Sequence, residues 1–204
     1  DSINIYVIYI SRSLIGITVI LFYCKINNIK VVFKTYYPIT TILGLQFFLG
    51  FSLYYFSLSK ISLPQAVTLF FVSPFFVTIS SKFIIGEKIG PYRWSAIFIG
   101  FLGVYLVLDP DFSNFNFYSL FPIFCAFFYA LTVFTQKKTS DRDSLFTQII
   151  HTYFSAIIFS IIIYFIINNL SFSDYQIIEY SFILRSWDFP SVNNFLILFI
   201  IGIT

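Results

Sequence analysis

"LPQAVTLFFVSPFFVTISSKFIIGEKIGPYRWSAIFIGFLGVYLVLDP", residues Leu63 to Pro110, consists of two long apolar runs parted by a short charged patch, Gly86 to Arg93. Each run is close to the ~20 apolar residues that carry an α-helix across a bilayer. Pro74 sits in the middle of the first run. Lipid offers no hydrogen bonds, so a residue without a backbone N–H in that position leaves a carbonyl that must face protein or a wet cavity. The predicted result is a kinked helix, with Ser73 and Thr78 as nearby hydroxyls.

The rest of the chain has the same character. With 58% hydrophobic and 10% charged residues over 204 positions, it carries more apolar side chain than one water-soluble core can cover. The class is therefore integral membrane. Runs bounded by charges and turn residues give six complete candidate spans: Ile5 to Tyr23, Ile39 to Leu58, Leu63 to Ile85, Tyr92 to Leu108, Phe117 to Thr135 and Leu145 to Ile167. A seventh begins near Asn194. The runs are continuous and do not alternate as barrel strands do, and short links such as "SKISL" force antiparallel neighbours, so the fold class is an all-α polytopic helical bundle. The chain lacks Met, and "FLILFIIGIT" (Phe195 to Thr204) stops after about half a span; both features lead to the expectation of a fragment open at both ends.

Charge sets the direction. One set of alternate loops holds Lys25, Lys30 and Lys34, then Lys88 and Arg93 with Lys82 just inside, then Lys137, Lys138 and Arg142. The other set holds Lys60 and Arg185 against Asp109, Asp111, Asp174, Glu179 and Asp188. By the positive-inside rule the first set is cytoplasmic. The net charge of +3 is thus spread by loop and forms no basic patch, which argues against a nucleic-acid partner. Cys24 and Cys125 fall in different runs with no metal or disulfide spacing and read as free thiols; no metal and no cofactor are expected. The longest loop, Asn168 to Asn193, carries Trp187 and reads either as an interfacial anchor or as an external loop.

In the cytoplasmic turn, Gly86 and Gly90 allow a tight reversal and Pro91 suits the first turn of the next helix. Glu87 reads as a cap or ion-pair residue fixing the two helices, and Arg93 opens the fourth span. Ala96, Gly100 and Gly103 place small residues on that span at spacings that permit close helix approach.

Together, the "LPQAV" start, Pro74, the Gly86-Glu87 turn, the Arg93-Trp94 opening and the Gly100 and Gly103 helix ending in "GVYLVL" resemble the half-repeat of the EamA-type members of the drug/metabolite transporter superfamily. "YISRSLIG" resembles the family's second span, with its arginine at Arg12, and "FCAFFYALTVFTQKKTS" the opening of the second half. The resemblance implies two inverted five-span repeats of a ten-span protein. Here they would be residues 1–110, lacking the first span, and residues 111–204, truncated in the third.

Arg12 is the clearly intramembrane charge. Twelve residues separate it from Lys25, about 18 Å of helix, which is shorter than the ~30 Å core. It either snorkels or pairs with a carbonyl, or it binds an anionic group of a substrate. Cys125, Tyr129, Thr132 and Gln136 form one polar stripe at helical spacing, Gln148, His151, Thr152 and Ser155 another, and Gln46 stands alone in its run; such positions face protein or water instead of lipid. Most would be interhelical hydrogen-bonding residues, and His151 a packing residue. No Asp or Glu occupies the middle of a complete span, so no proton-coupling carboxylate is visible.

The leading expectation is a secondary transporter that moves a small metabolite across a bacterial inner membrane by alternating access. Arg12, Gln46, Tyr129 and Thr132 are its candidate contacts, and Pro74 is either its pivot or cavity wall or a kink that only shapes packing. The alternatives are a non-transporting scaffold and a membrane-embedded enzyme, the latter disfavoured by one His and no intramembrane acid. Its partners are the bilayer and a small molecule. Substrate, direction, coupling and association of two copies are not set by the sequence.

Overall fold

The computed structural model describes residues 4–31, 37–86, 88–108 and 117–169. Within them lie seven α-helices and no strand: α1 Ile5–Ile26, α2 Tyr37–Leu58, α3 Leu63–Phe70, α4 Ser73–Ser80, α5 Pro91–Leu108, α6 Leu120–Thr139 and α7 Leu145–Asn168. All six expected spans are helical, with ends within four residues of the positions read from the sequence. Five stretches are long and apolar enough to cross a membrane: Tyr6–Ile26, Thr41–Leu58, Leu63–Phe83, Phe117–Thr139 and Leu145–Ile167. α5 has 18 residues. The protein is a multi-pass integral membrane protein. Glu87, the loop from residue 170 with Trp187, and the span near Asn194 lie outside the described residues.

Helix ends are built from local chemistry. The Asn4 side chain accepts from the Tyr6 N–H at 2.8 Å and starts α1; Ser62 and Ser144 cap α3 and α7 in the same way. α1 stops where Asn28 takes a left-handed φ of 53°. The Ile29 N–H then reaches back to the Cys24 carbonyl at 2.8 Å, closing a Schellman-type end. Lys25 in the last turn of α1 and Lys137 and Lys138 in that of α6 meet the negative ends of those helices.

The chain forms two compact units, residues 1–45 with 140–204 and residues 46–139. In the first, α1 packs on α7, with Tyr23 and Phe146 ring centroids 5.5 Å apart. Its buried residues include Tyr9, Ser13, Leu43, Ala156, Gln148 and Thr152, so the second polar stripe does face protein. The Thr152 and Ser160 hydroxyls donate to the Gln148 and Ala156 carbonyls of their own helix, at 2.9 and 2.8 Å, which removes the need for a partner across the interface. In the second unit α4 lies on α6, with Phe76 and Phe127 rings 5.7 Å apart, and α3 lies between α5, α6 and the 3-10 turn Phe117–Ser119.

Close helix approach occurs at glycines other than those singled out by spacing. A Cβ on Gly16 would come within 2.6 Å of the Tyr153 ring, one on Gly44 would overlap Ser155, and one on Gly50 would be 3.2 Å from the Phe128 Cβ. At Gly100 and Gly103 no described atom lies within 4 Å of such a Cβ. Spacing shows that a small residue could admit a neighbour; only the partner helix decides whether one comes. Gly44→Ala should therefore destabilise the detergent-solubilised protein by about 1–3 kcal/mol in thermal unfolding, because Ser155 meets it with Cβ and backbone. Gly103→Ala, inside α5 with no described atom beside it, should leave stability unchanged or raise it by up to about 1 kcal/mol. Equal effects would contradict this packing.

Candidate functional site

Pro74 does more than bend its span. α3 ends at Phe70 and α4 starts at Ser73, with Phe71 and Val72 in a turn between them. Pro74 cannot donate to the Phe70 carbonyl, and the ladder is patched by shorter-range bonds, Val72 N–H to Leu69 C=O at 3.3 Å and Phe75 N–H to Val72 C=O at 3.0 Å. Further along, Ser81–Ile85 form a π-helical turn that ends at Gly86, in the left-handed region at φ 77°. The Gly86 N–H closes that turn on the Ser81 carbonyl. Pro91 is the first residue of α5, Arg93 lies exposed in its first turn, and the Trp94 ring packs tilted against Phe75 with centroids 6.1 Å apart, beside the break.

Three of the four candidate contacts come together. Gln46, Phe47, Gly50 and Phe51 of α2 and Cys125, Tyr129 and Thr132 of α6 line one narrow recess. Gly50, which spacing did not single out, lets α2 approach α6 closely enough to form it. The Thr135 hydroxyl donates to the Leu131 carbonyl at 2.8 Å and shares that proton with the Gln46 Oε1 at 3.3 Å, which leaves the Gln46 amide N–H groups as donors. The Thr132 hydroxyl donates to the Phe128 carbonyl at 3.0 Å, which leaves its lone pairs as acceptors. Phe47 and Phe51 stand with ring centroids 4.6 Å apart, and no lining residue is charged. The recess can therefore offer stacking surface, a donor and an acceptor to a neutral flat group. The space between the two helices has room for about one water molecule, so in this conformation the recess is closed to a metabolite and admits one only when α2 and α6 part.

Arg12 belongs to the other compact unit and is half-buried on α1. His151 is half-buried on α7. Asp143, a buried carboxylate in the loop that leads into α7, was not singled out in the sequence because it lies between spans, and only the fold shows it covered. Gln148 Nε2 donates to its backbone carbonyl at 3.2 Å. Cys24 and Cys125 are both free and buried. Among the described residues, no group of three His, Cys, Asp or Glu side chains is placed to hold a metal.

A family model described as the EamA-like transporter family matches residues 1–109. The chain belongs to that family. Among curated relatives of this EamA protein is a riboflavin transporter of Vibrio cholerae, 33% identical over 144 residues, which cover 67% of this chain and 47% of the relative. A riboflavin transporter of Rhizobium johnstonii is 28% identical over 95 residues, 47% of this chain and 32% of that protein. An S-adenosylmethionine uptake transporter of Rickettsia bellii is 28% identical over 130 residues, 63% and 44% of the two chains. The EamA chain spans about half the length of the first of these relatives, or less.

The break at Phe71–Val72 makes a stability prediction. Pro74→Ala returns an N–H within reach of the Phe70 carbonyl, so α3 and α4 can fuse, and the thermal midpoint in detergent should rise by about 2–4 °C. A lower midpoint would show that the break is held by packing and not by the absent donor.

Proposed function

We propose that this EamA protein is a secondary transporter that carries a small metabolite across a bacterial inner membrane by alternating access, and that it is not an enzyme. The observation that carries the reading is the convergence of Gln46, Tyr129 and Thr132 on one recess between two apolar helices. Family membership and the transport of riboflavin or S-adenosylmethionine named for its relatives support it, as does the bacterial origin of those relatives.

Once α2 and α6 part, the recess serves as the subsite for a flat heteroaromatic ring, stacked on Phe47, Phe51 and Tyr129 and read at its edge by the Gln46 amide and the Thr132 hydroxyl. Isoalloxazine and adenine both have such a ring and edge. Arg12 is the contact for an anionic group where the cargo has one. The break beside Pro74 and the left-handed turn at Gly86 are the pivot and the fixed end of the third span. The first repeat is residues 1–110 and the second is residues 111–204; the family match to residues 1–109 supports the boundary.

The test is to express the intact protein in cells, supply labelled metabolites that include riboflavin and S-adenosylmethionine, and follow uptake and release by mass spectrometry. Gln46→Leu and Thr132→Val should each raise KM by about tenfold, the loss of one hydrogen bond to a bound polar group, with the thermal midpoint nearly unchanged. Arg12→Leu should abolish transport of an anionic cargo and leave that of a neutral one. Movement of no metabolite by a folded, inserted protein would overturn the reading in favour of a scaffold.

A further inference from the structure

We propose that α3 is the moving part of a gate on the non-cytoplasmic side, held shut by the hydrogen bond between Gln65 and Ser119; the proposal deepens the carrier reading and rests on it. α3 is eight residues long, about 12 Å, and the turn at Phe71–Val72 frees it from α4. At the opposite end, Gln65 Nε2 donates to the Ser119 hydroxyl at 3.3 Å, joining residues 54 positions apart. Both side chains are buried, Gln65 to 6% and Ser119 to 0% exposure.

An amide and a hydroxyl withdrawn from solvent amid aromatic rings make an unusual fastening. Lys60 lies 5.7 Å over the Tyr118 ring, and Tyr118 in turn meets Phe56 at 5.9 Å and Phe121 at 5.8 Å. This end faces away from the loops rich in Lys and Arg, so it is the outer end of the span. An apolar contact in its place would favour one dry, closed state. A polar pair has two satisfied states: bonded to each other when closed, and hydrated when water enters from outside.

The inner end of α3 connects the latch to the recess. Phe70, its last residue, meets the ring of Tyr54 at 5.8 Å and that of Tyr129 at 5.7 Å, and Tyr129 is a wall of the recess. Opening the latch lets α3 swing on Phe71–Val72 and draws Phe70 off Tyr129, which exposes the recess to the outer side. Gln65 and Ser119 are positioning residues, since neither lines the recess.

The native thiol of Cys125 reports on this motion, because it lines the recess and is 1% exposed. The intact protein is placed right-side-out in proteoliposomes and treated with a membrane-impermeant maleimide, and modification of Cys125 is followed by peptide mass spectrometry, separately from Cys24. Ser119→Ala should speed labelling of Cys125 at least fivefold with the thermal midpoint nearly unchanged, and Gln65→Leu should do the same from the other side of the bond. Ser119→Thr, which keeps the hydroxyl, should label at the parental rate. Parental rates in both latch variants, or acceleration only when the reagent is on the cytoplasmic side, would overturn the gate. The readout does not use cargo, so failure of the gate is separable from failure of the carrier reading, which the uptake experiment decides.

Discussion

A span in lipid must satisfy every backbone polar group from within the chain, and Pro74 takes one donor away from the middle of such a span. The third apolar run answers with two short helices joined by a two-residue turn and patched by hydrogen bonds of shorter range. Elsewhere the same constraint is met by serine and threonine hydroxyls that bond back to their own helix, as Thr152 and Ser160 do. A polar side chain satisfied in this way can lie among apolar neighbours without a partner across the interface.

From the broken span follows the arrangement of the second compact unit. α4 rests on α6 through Phe76 and Phe127, α3 ends on Tyr129 through Phe70, and Tyr129 bounds the recess that Gly50 allows α2 and α6 to enclose. The recess and the break are thereby linked through Phe70 and Tyr129, and the hydrogen bond between Gln65 and Ser119 ties the far end of α3 to the turn before α6. A carrier needs such linkage, because a site that opened to both sides at once would be a leak, and one fixed in a rigid helix could open to neither.

Much of this was legible from one chain. Runs of twenty apolar residues ended by charges mark spans with little ambiguity, and the six read that way are helices. The polar stripe of Cys125, Tyr129 and Thr132 was visible because helical spacing puts those residues on one face, and Gln46 because it interrupts an apolar run. What could not be read depends on a second helix. Gln46 bonds to a residue 89 positions away, the glycines at close approach are Gly16, Gly44 and Gly50 while Gly100 and Gly103 meet open space among the described residues, and Asp143 is buried only because the fold covers its loop. Pro74 announced a kink, and only the fold shows that the helix breaks fully, at Phe71–Val72.

The most direct test of the central claim, that this protein is a carrier with alternating access, is solute counterflow in proteoliposomes. Vesicles containing the intact protein are loaded with unlabelled riboflavin, or in parallel with S-adenosylmethionine, and diluted into a trace of the labelled compound. An alternating-access carrier for that compound predicts transient accumulation of label above its equilibrium level, because internal cargo speeds the return of the empty site. Label that only equilibrates, at the rate of protein-free vesicles, with every metabolite that riboflavin and S-adenosylmethionine represent would contradict the account.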